Sequence, residues 1–121
     1  MPRPQRFFIP GVPQHVITRG VDRQPVFYGP ADYRSYRDIL YEASQDHECV
    51  IHAYVLMTNH VHLLVTPEHE YSLARIFQAL GRKYVRRFNL RHGRTGTLWE
   101  GRYRACLVQN DWYFLTCQRY I

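Results

Sequence analysis

Lysine is almost absent from this chain: Lys83 stands alone against fifteen arginines in 121 residues. Cysteine is scarce as well. Cys49, Cys106 and Cys117 are odd in number and lack Cys-x-x-Cys spacing, which argues against a disulfide framework and for reduced thiols in a cytoplasmic protein. No run of 18 apolar residues occurs, so no segment reads as a membrane-spanning helix. The opening "MPRPQRFF" has no long apolar stretch behind its charges and does not read as a signal peptide. A chain of 121 residues is expected to form one domain with a real core.

What is abundant is positive charge of one kind. Sixteen Lys+Arg face ten Asp+Glu, for a net charge of +6. A guanidinium pairs with phosphate as a fork and stacks on bases, which an ammonium does not do. Together with ten tyrosines, this composition reads as a nucleic-acid binder. A basic protein with no such partner is the alternative that charge alone leaves open.

The order of elements can be read along the chain. Residues 1–13 hold Pro2, Pro4, Pro10 and Pro13 and read as an irregular arm. "HVITRG" (15–20) is a short strand ending at Gly20. Pro30 opens a helix, where its missing N–H costs nothing, and Tyr33, Tyr36, Leu40 and Ala43 keep helical spacing to about Asp46. "CVIHAYVLM" (49–57) is apolar on both faces, which predicts a central strand covered on both sides. Thr58 and Asn59 make a turn into "HVHLLVTP", a strand stopped by Pro67.

The clearest helix spans 73–91. Leu73, Ile76, Phe77, Leu80, Tyr84 and Phe88 form one stripe, Ser72 is the expected N-cap, Tyr71 can staple to Ile76, and Gly93 supplies the stop. Its other side carries Arg75, Arg82 and Arg86, with Lys83, Arg87 and Arg91 one row over. A face of one sign repels itself and needs a reason. A Gly-rich loop from Gly93 leads to a strand at about 102–108, with Tyr103, Ala105 and Leu107 on its apolar face, and 111–121 reads as a final helix capped by Asp111. The order β-α-β-β-α-β, then a helix, predicts an α+β ferredoxin-like fold: an antiparallel sheet with helices on one face. Phosphate contacts are expected from Arg75, Arg82, Lys83, Arg86 and Arg87 on the helix, from Arg19 and Arg23 beside the first loop, and from Arg94, Arg102 and Arg104 in and after the Gly-rich loop.

One stretch raises a sharper question. In "TNHVHLLV" (58–65), His60 and His62 are two apart on a strand, so both point to one face. Two neutral imidazoles at that spacing can share one divalent cation, although a lone His-x-His is a weak signal and also suits an ordinary half-buried strand. Two ligands leave open positions that suit a phosphate oxygen. The final segment offers Tyr113 and Tyr120 as oxygen nucleophiles, which need a polarised phosphate because phenol ordinarily titrates near pH ~10.

"YVLMTNHVHLLVTP", "GRKYVRRFN", "GRTGTLWEGRYRACLV" and "CQRYI", in this order and at these separations, resemble the REP-associated tyrosine transposases. These are single-tyrosine HUH transposases, related to the transposases of small bacterial insertion sequences. The resemblance runs from about residue 7 to the end, and it implies one HUH transposase domain over 1–121. It implies a nuclease and strand transferase acting on single-stranded DNA with hairpins, as a monomer or a homodimer. His60 and His62 would hold Mg2+ or Mn2+. Tyr120 matches the family's nucleophile, which forms a 5′-phosphotyrosine and frees a 3′-OH; Tyr113 matches no motif position. In the family the last helix continues and supplies an Asn or Gln about one turn later, whereas this sequence stops at Ile121 and reads as truncated. Gln118 lies on a different helix face from Tyr120 and is a poor substitute. A non-catalytic module that binds DNA hairpins on the same scaffold is the alternative. An RNA-binding sheet of the RRM sort is more remote, because its aromatic, glycine-rich signature is missing.

Overall fold

The structure, a computed structural model, describes residues 8–108. β1 (Gln14–Arg19), β2 (Cys49–Met57), β3 (His60–Pro67) and β4 (Arg104–Leu107) form one sheet in the order β2-β3-β1-β4. Every pairing is antiparallel. Helix α1 (Pro30–Asp46) crosses from β1 to β2, and a longer helix crosses from β3 to β4. Each connection joins two strands that flank a third, which is the split βαβ arrangement expected from the sequence. The expected C-terminal helix, with Tyr113 and Tyr120, lies outside the described residues.

The core fills one face of the sheet. Val16 of β1 and Val61, Leu63 and Val65 of β3 pack against Tyr36, Ile39 and Leu40 of α1 and against Leu73, Ile76 and Phe88 of the second helix. Period-2 alternation on β3 therefore leaves His60, His62 and Leu64 on the opposite face. Register extends that face across the sheet: His60 is paired with Arg19 and Met57, and His62 with Ile17 and Val55.

β2 corrects one expectation. Among the described residues it is an edge strand, not a central one, and Val50, Tyr54 and Met57 are exposed. Its double-sided apolarity has another cause. Ile51 pairs with Val65 and Ala53 with Leu64, so His52 is the extra residue of a bulge. Ile51 and Leu56, five apart, thereby both reach the core, while Ala53 packs on Leu64 across the other face.

The second helix is continuous from Ser72 to His92 but not uniform. α2 (Ser72–Ala79) and α3 (Val85–His92) are joined by a π-helical turn over Leu80–Tyr84. Gly93 ends it in the left-handed conformation, φ 62°, as its position predicts. Its start differs from expectation: Ser72 is the first helical residue, and its Oγ accepts the His69 N–H at 3.1 Å instead of capping. Tyr71 is exposed under the Arg75 guanidinium, 4.1 Å from ring centroid to Cζ, instead of stapling to Ile76.

The two helices are pinned by a buried charge. Asp32 in the first turn of α1 is 1% exposed and accepts hydrogen bonds from the Tyr28 N–H, from Arg91 and from His92. Arg91 is thus a structural partner and does not belong with the free basic row. Burial alone would raise the Asp32 carboxyl, but those three donors outweigh it and hold the group below the ordinary carboxylate range.

Candidate functional site

The β2–β3 hairpin turns on Thr58 and Asn59, and this places His60 at the very start of β3. The His60 and His62 rings stand side by side, centroids 4.9 Å apart and 75° between planes. His60 Nδ1 donates to Asn59 Oδ1 at 2.8 Å. His62 Nδ1 meets Nε2 of His15, from β1, at 3.0 Å, and those two rings stack at 5.2 Å. The His60 Nδ1 donates, which leaves its Nε2 as the ligand atom, and His62 offers Nε2 in the tautomer that donates Nδ1–H to His15. A histidine that donates its second ring nitrogen to an outer partner is the usual arrangement at a metal site. The donor set therefore fits one divalent cation bound with open positions.

His15 and Asn59 carry no motif of their own. They become site residues only through strand register and turn geometry. Burial lowers the proton affinity of both His15 and His62; the neighbouring His15, His60 and Arg19 lower that of His62 further. Neutral imidazoles are the form a metal needs.

The turn that holds Asn59 is anchored from below. Gly20 N–H donates to Asn59 O at 2.9 Å and Val26 N–H to Thr58 O at 2.7 Å. Gly20 has no alternative: a Cβ there would lie 2.3 Å from Gln24 O. Asp22 and Arg23 follow with left-handed backbones, φ 51° and 57°, a costly pair in non-glycine residues. The Gly-rich loop docks on the same end of β1. Val21 N–H donates to Leu98 O and Glu100 N–H to Arg19 O, at 2.9 and 2.8 Å.

That docking builds a groove of about 930 Å³, lined by Arg19, Arg23, Arg102 and Arg104, with Glu100 its sole acid among the described residues. Arg19 pairs with His60 across the strands, so the groove opens beside the histidines. Arg75, Arg82, Lys83, Arg86 and Arg87 are exposed on the second helix, beyond the opposite face of the sheet. The structure does not gather them with the histidines. Lys83 lies 3.6 Å from Glu42 of α1. Arg94 braces the loop, donating to Asn89 Oδ1 at 2.7 Å and to Thr97 O at 3.1 Å. Among the described residues, three potential ligands converge only at Glu48, Glu68 and His69, at the far end of the hairpin. There His69 Nε2 and Glu48 Oε2 already share a hydrogen bond of 2.7 Å.

Residues 10–121 match the sequence profile of the family described as Transposase IS200 like. The chain belongs to the IS200-like transposases. This bears out the resemblance carried by the four sequence segments. Two of the solved structures that share the fold of this transposase show the likeness. One, a REP-associated tyrosine transposase bound to a REP hairpin, superposes with a TM-score of 0.75 at 19% identity, covering 100% of this chain and 70% of that one. The other, named a candidate transposase from Deinococcus radiodurans R1, gives 0.62 at 21% identity, covering 98% of this chain and 94% of that one. No curated protein matches the chain. Among the described residues no helix of the transposase is long and apolar enough to cross a membrane.

Proposed function

We propose that this transposase cuts and rejoins single-stranded DNA at hairpin or repeat sites through a covalent tyrosine intermediate. The observation that carries the reading is the His60–His62 pair. The two half-buried rings share the sheet face opposite the main core, and Arg19, the cross-strand partner of His60, lines an arginine groove. One of the two fold neighbours is bound to a REP hairpin, and DNA of that kind is the substrate proposed here.

His60 and His62 would hold Mg2+ or Mn2+. Such a cation withdraws charge from a bound phosphate. His15 and Asn59 keep the two rings oriented. Arg19, Arg23, Arg102 and Arg104 neutralise the backbone of the incoming strand and hold it at the mouth of the site. Tyr120, the position matching the family's nucleophile, attacks phosphorus. Its Oη–P bond forms as the P–O3′ bond breaks, the phenolic proton leaves, and O3′ takes up a proton. A second 3′-OH reverses the step, so the phosphotyrosine conserves the bond energy and no nucleotide cofactor is needed.

The test is a panel of 5′- and 3′-labelled single-stranded hairpins, incubated with the protein with and without Mn2+ and run on a denaturing gel. A protein–DNA adduct with a free 3′-OH fragment is expected. Binding without any adduct would leave the alternative, a hairpin-binding module that does not cut.

A further inference from the structure

Val26 is pinned by both of its backbone groups. Its N–H donates to Thr58 O at 2.7 Å, and its C=O accepts the hydroxyl of Tyr84, 58 residues on. Thr58 and Asn59 are the turn that presents the histidines. Asn59 is held at three atoms. Its O accepts the Gly20 N–H at 2.9 Å, its Nδ2 donates to Arg23 O at 3.4 Å, and its Oδ1 meets His60 Nδ1 at 2.8 Å. A carbonyl can only accept, so Asn59 turns its Nδ2 to Arg23 and its Oδ1 to His60, and this puts a proton on His60 Nδ1. The segment 20–26 thus grips both turn residues, and Tyr84 grips that segment from the core.

The Tyr84 grip is rigid. Its side chain is fully buried, with the ring set among Phe27, Tyr36, Phe88 and Trp99 at centroid distances of 5.2–6.4 Å. Burial, and after it Asp32, raises the phenol, so it remains a donor at every working pH. A phenylalanine would fill the same space; the hydroxyl adds the bond to Val26. Tyr84 also closes the π turn, and such turns interrupt helices frequently at functional sites. The strained residues Asp22 and Arg23 lie inside the gripped segment, and strain of that kind persists where surrounding contacts over-determine it.

We propose that Tyr84 is a positioning residue for the histidine pair. Through Val26 it holds the 58–59 turn, and with it Asn59, in the setting that keeps the proton on His60 Nδ1 and leaves His60 Nε2 for the cation. The inference rests on the metal reading above and adds to it a residue on the helix side of the sheet.

The experiment is calorimetric titration of the metal-free protein with Mn2+, in a double-mutant cycle of Tyr84→Phe and Asn59→Ala. Tyr84→Phe should weaken Mn2+ roughly three- to tenfold, less than the ~10–100-fold of a direct outer partner, and leave hairpin affinity unchanged. In the Asn59→Ala background it should cost nothing more, because the path to His60 is already cut; a purely structural role would add in full. Ile39→Val, a core change in α1, is the control: it should lower the melting temperature and leave Mn2+ affinity as it was. A second measurement needs no variant and decides the matter should Tyr84→Phe fail to fold. Coupling is reciprocal, so saturating Mn2+ should slow hydrogen exchange in peptides spanning residues 20–26 of the unaltered chain, read by mass spectrometry. Exchange that Mn2+ leaves unchanged overturns the role of Tyr84 alone. So does an Mn2+ affinity that Tyr84→Phe leaves intact or lowers equally in both backgrounds. No Mn2+ binding by the unaltered chain overturns the metal reading and this inference with it.

Discussion

His15 Nε2 lies 3.0 Å from His62 Nδ1, joining β1 to β3 across the sheet face opposite the main core. If His62 donates that proton, its Nε2 lone pair is free for a cation and His15 sets the tautomer. His15→Phe keeps a ring for the stack but accepts no proton. Mn2+ affinity should then fall roughly 10–100-fold with little change in melting temperature. Calorimetric titration of Mn2+ decides it, and unchanged affinity would place the control of His62 elsewhere.

The His60→Ala, His62→Ala double variant removes both half-buried candidate ligands without touching the main core. Cleavage should vanish while most hairpin affinity remains. Cleavage equal to the unaltered chain, in chelator-treated buffer restored with Mg2+, would sink the metal reading.

Tyr120→Phe keeps the ring and removes the attacking oxygen. It should bind hairpins normally and form no covalent adduct, whereas Tyr113→Phe should still form one. An adduct lost with Tyr113→Phe but not with Tyr120→Phe would move the nucleophile to the other tyrosine.

The two basic regions can be separated by salt dependence. Each phosphate contact to a single strand contributes about 0.7 to the slope of log affinity against log salt. Arg102→Ala with Arg104→Ala should lower that slope by about 1–1.5 and slow cleavage, because they line one groove with Arg19, the cross-strand partner of His60. Arg82→Ala with Arg86→Ala should lower the slope of binding but leave the cleavage rate at saturating DNA unchanged. A pair that changes neither affinity nor slope is a solvated face.

Stability should respond to pH in two steps of known sign. Burial lowers His15, His52 and His62 from the ordinary 6.5, so the unfolded chain takes up protons first as pH falls. The melting temperature should therefore be flat above about pH 7 and decline below about 6.5. Asp32 is lowered from 3.8, so its stabilisation is complete above that value and is lost as pH falls through its folded-state value. Asp32→Asn should cost roughly 1–3 kcal/mol at neutral pH. It should also flatten the acid-side step in a pH series of thermal melts; an unchanged step would assign the acid loss to other carboxylates.

Local chemistry was enough to read much of this protein. The bounds of α1, β2 and β3, the stop at Gly93 and the shared face of His60 and His62 all follow from Pro and Gly geometry and from two short periods, 2.0 and 3.6, which act over a few residues. Such signals are blind to what lies across the sheet. β2 reads as central because a bulge at His52 switches faces mid-strand, and only its pairing with β3 reveals this. Arg91 reads as one more surface cation until Asp32, 59 residues away, takes it inward. His15 carries no local mark, and it reaches His62, 47 residues on, through the β1–β3 register. Tertiary structure decided these contacts because they depend on which strands pair and which layer covers each face. Burial of the whole apolar set chooses that outcome, and no single segment encodes it.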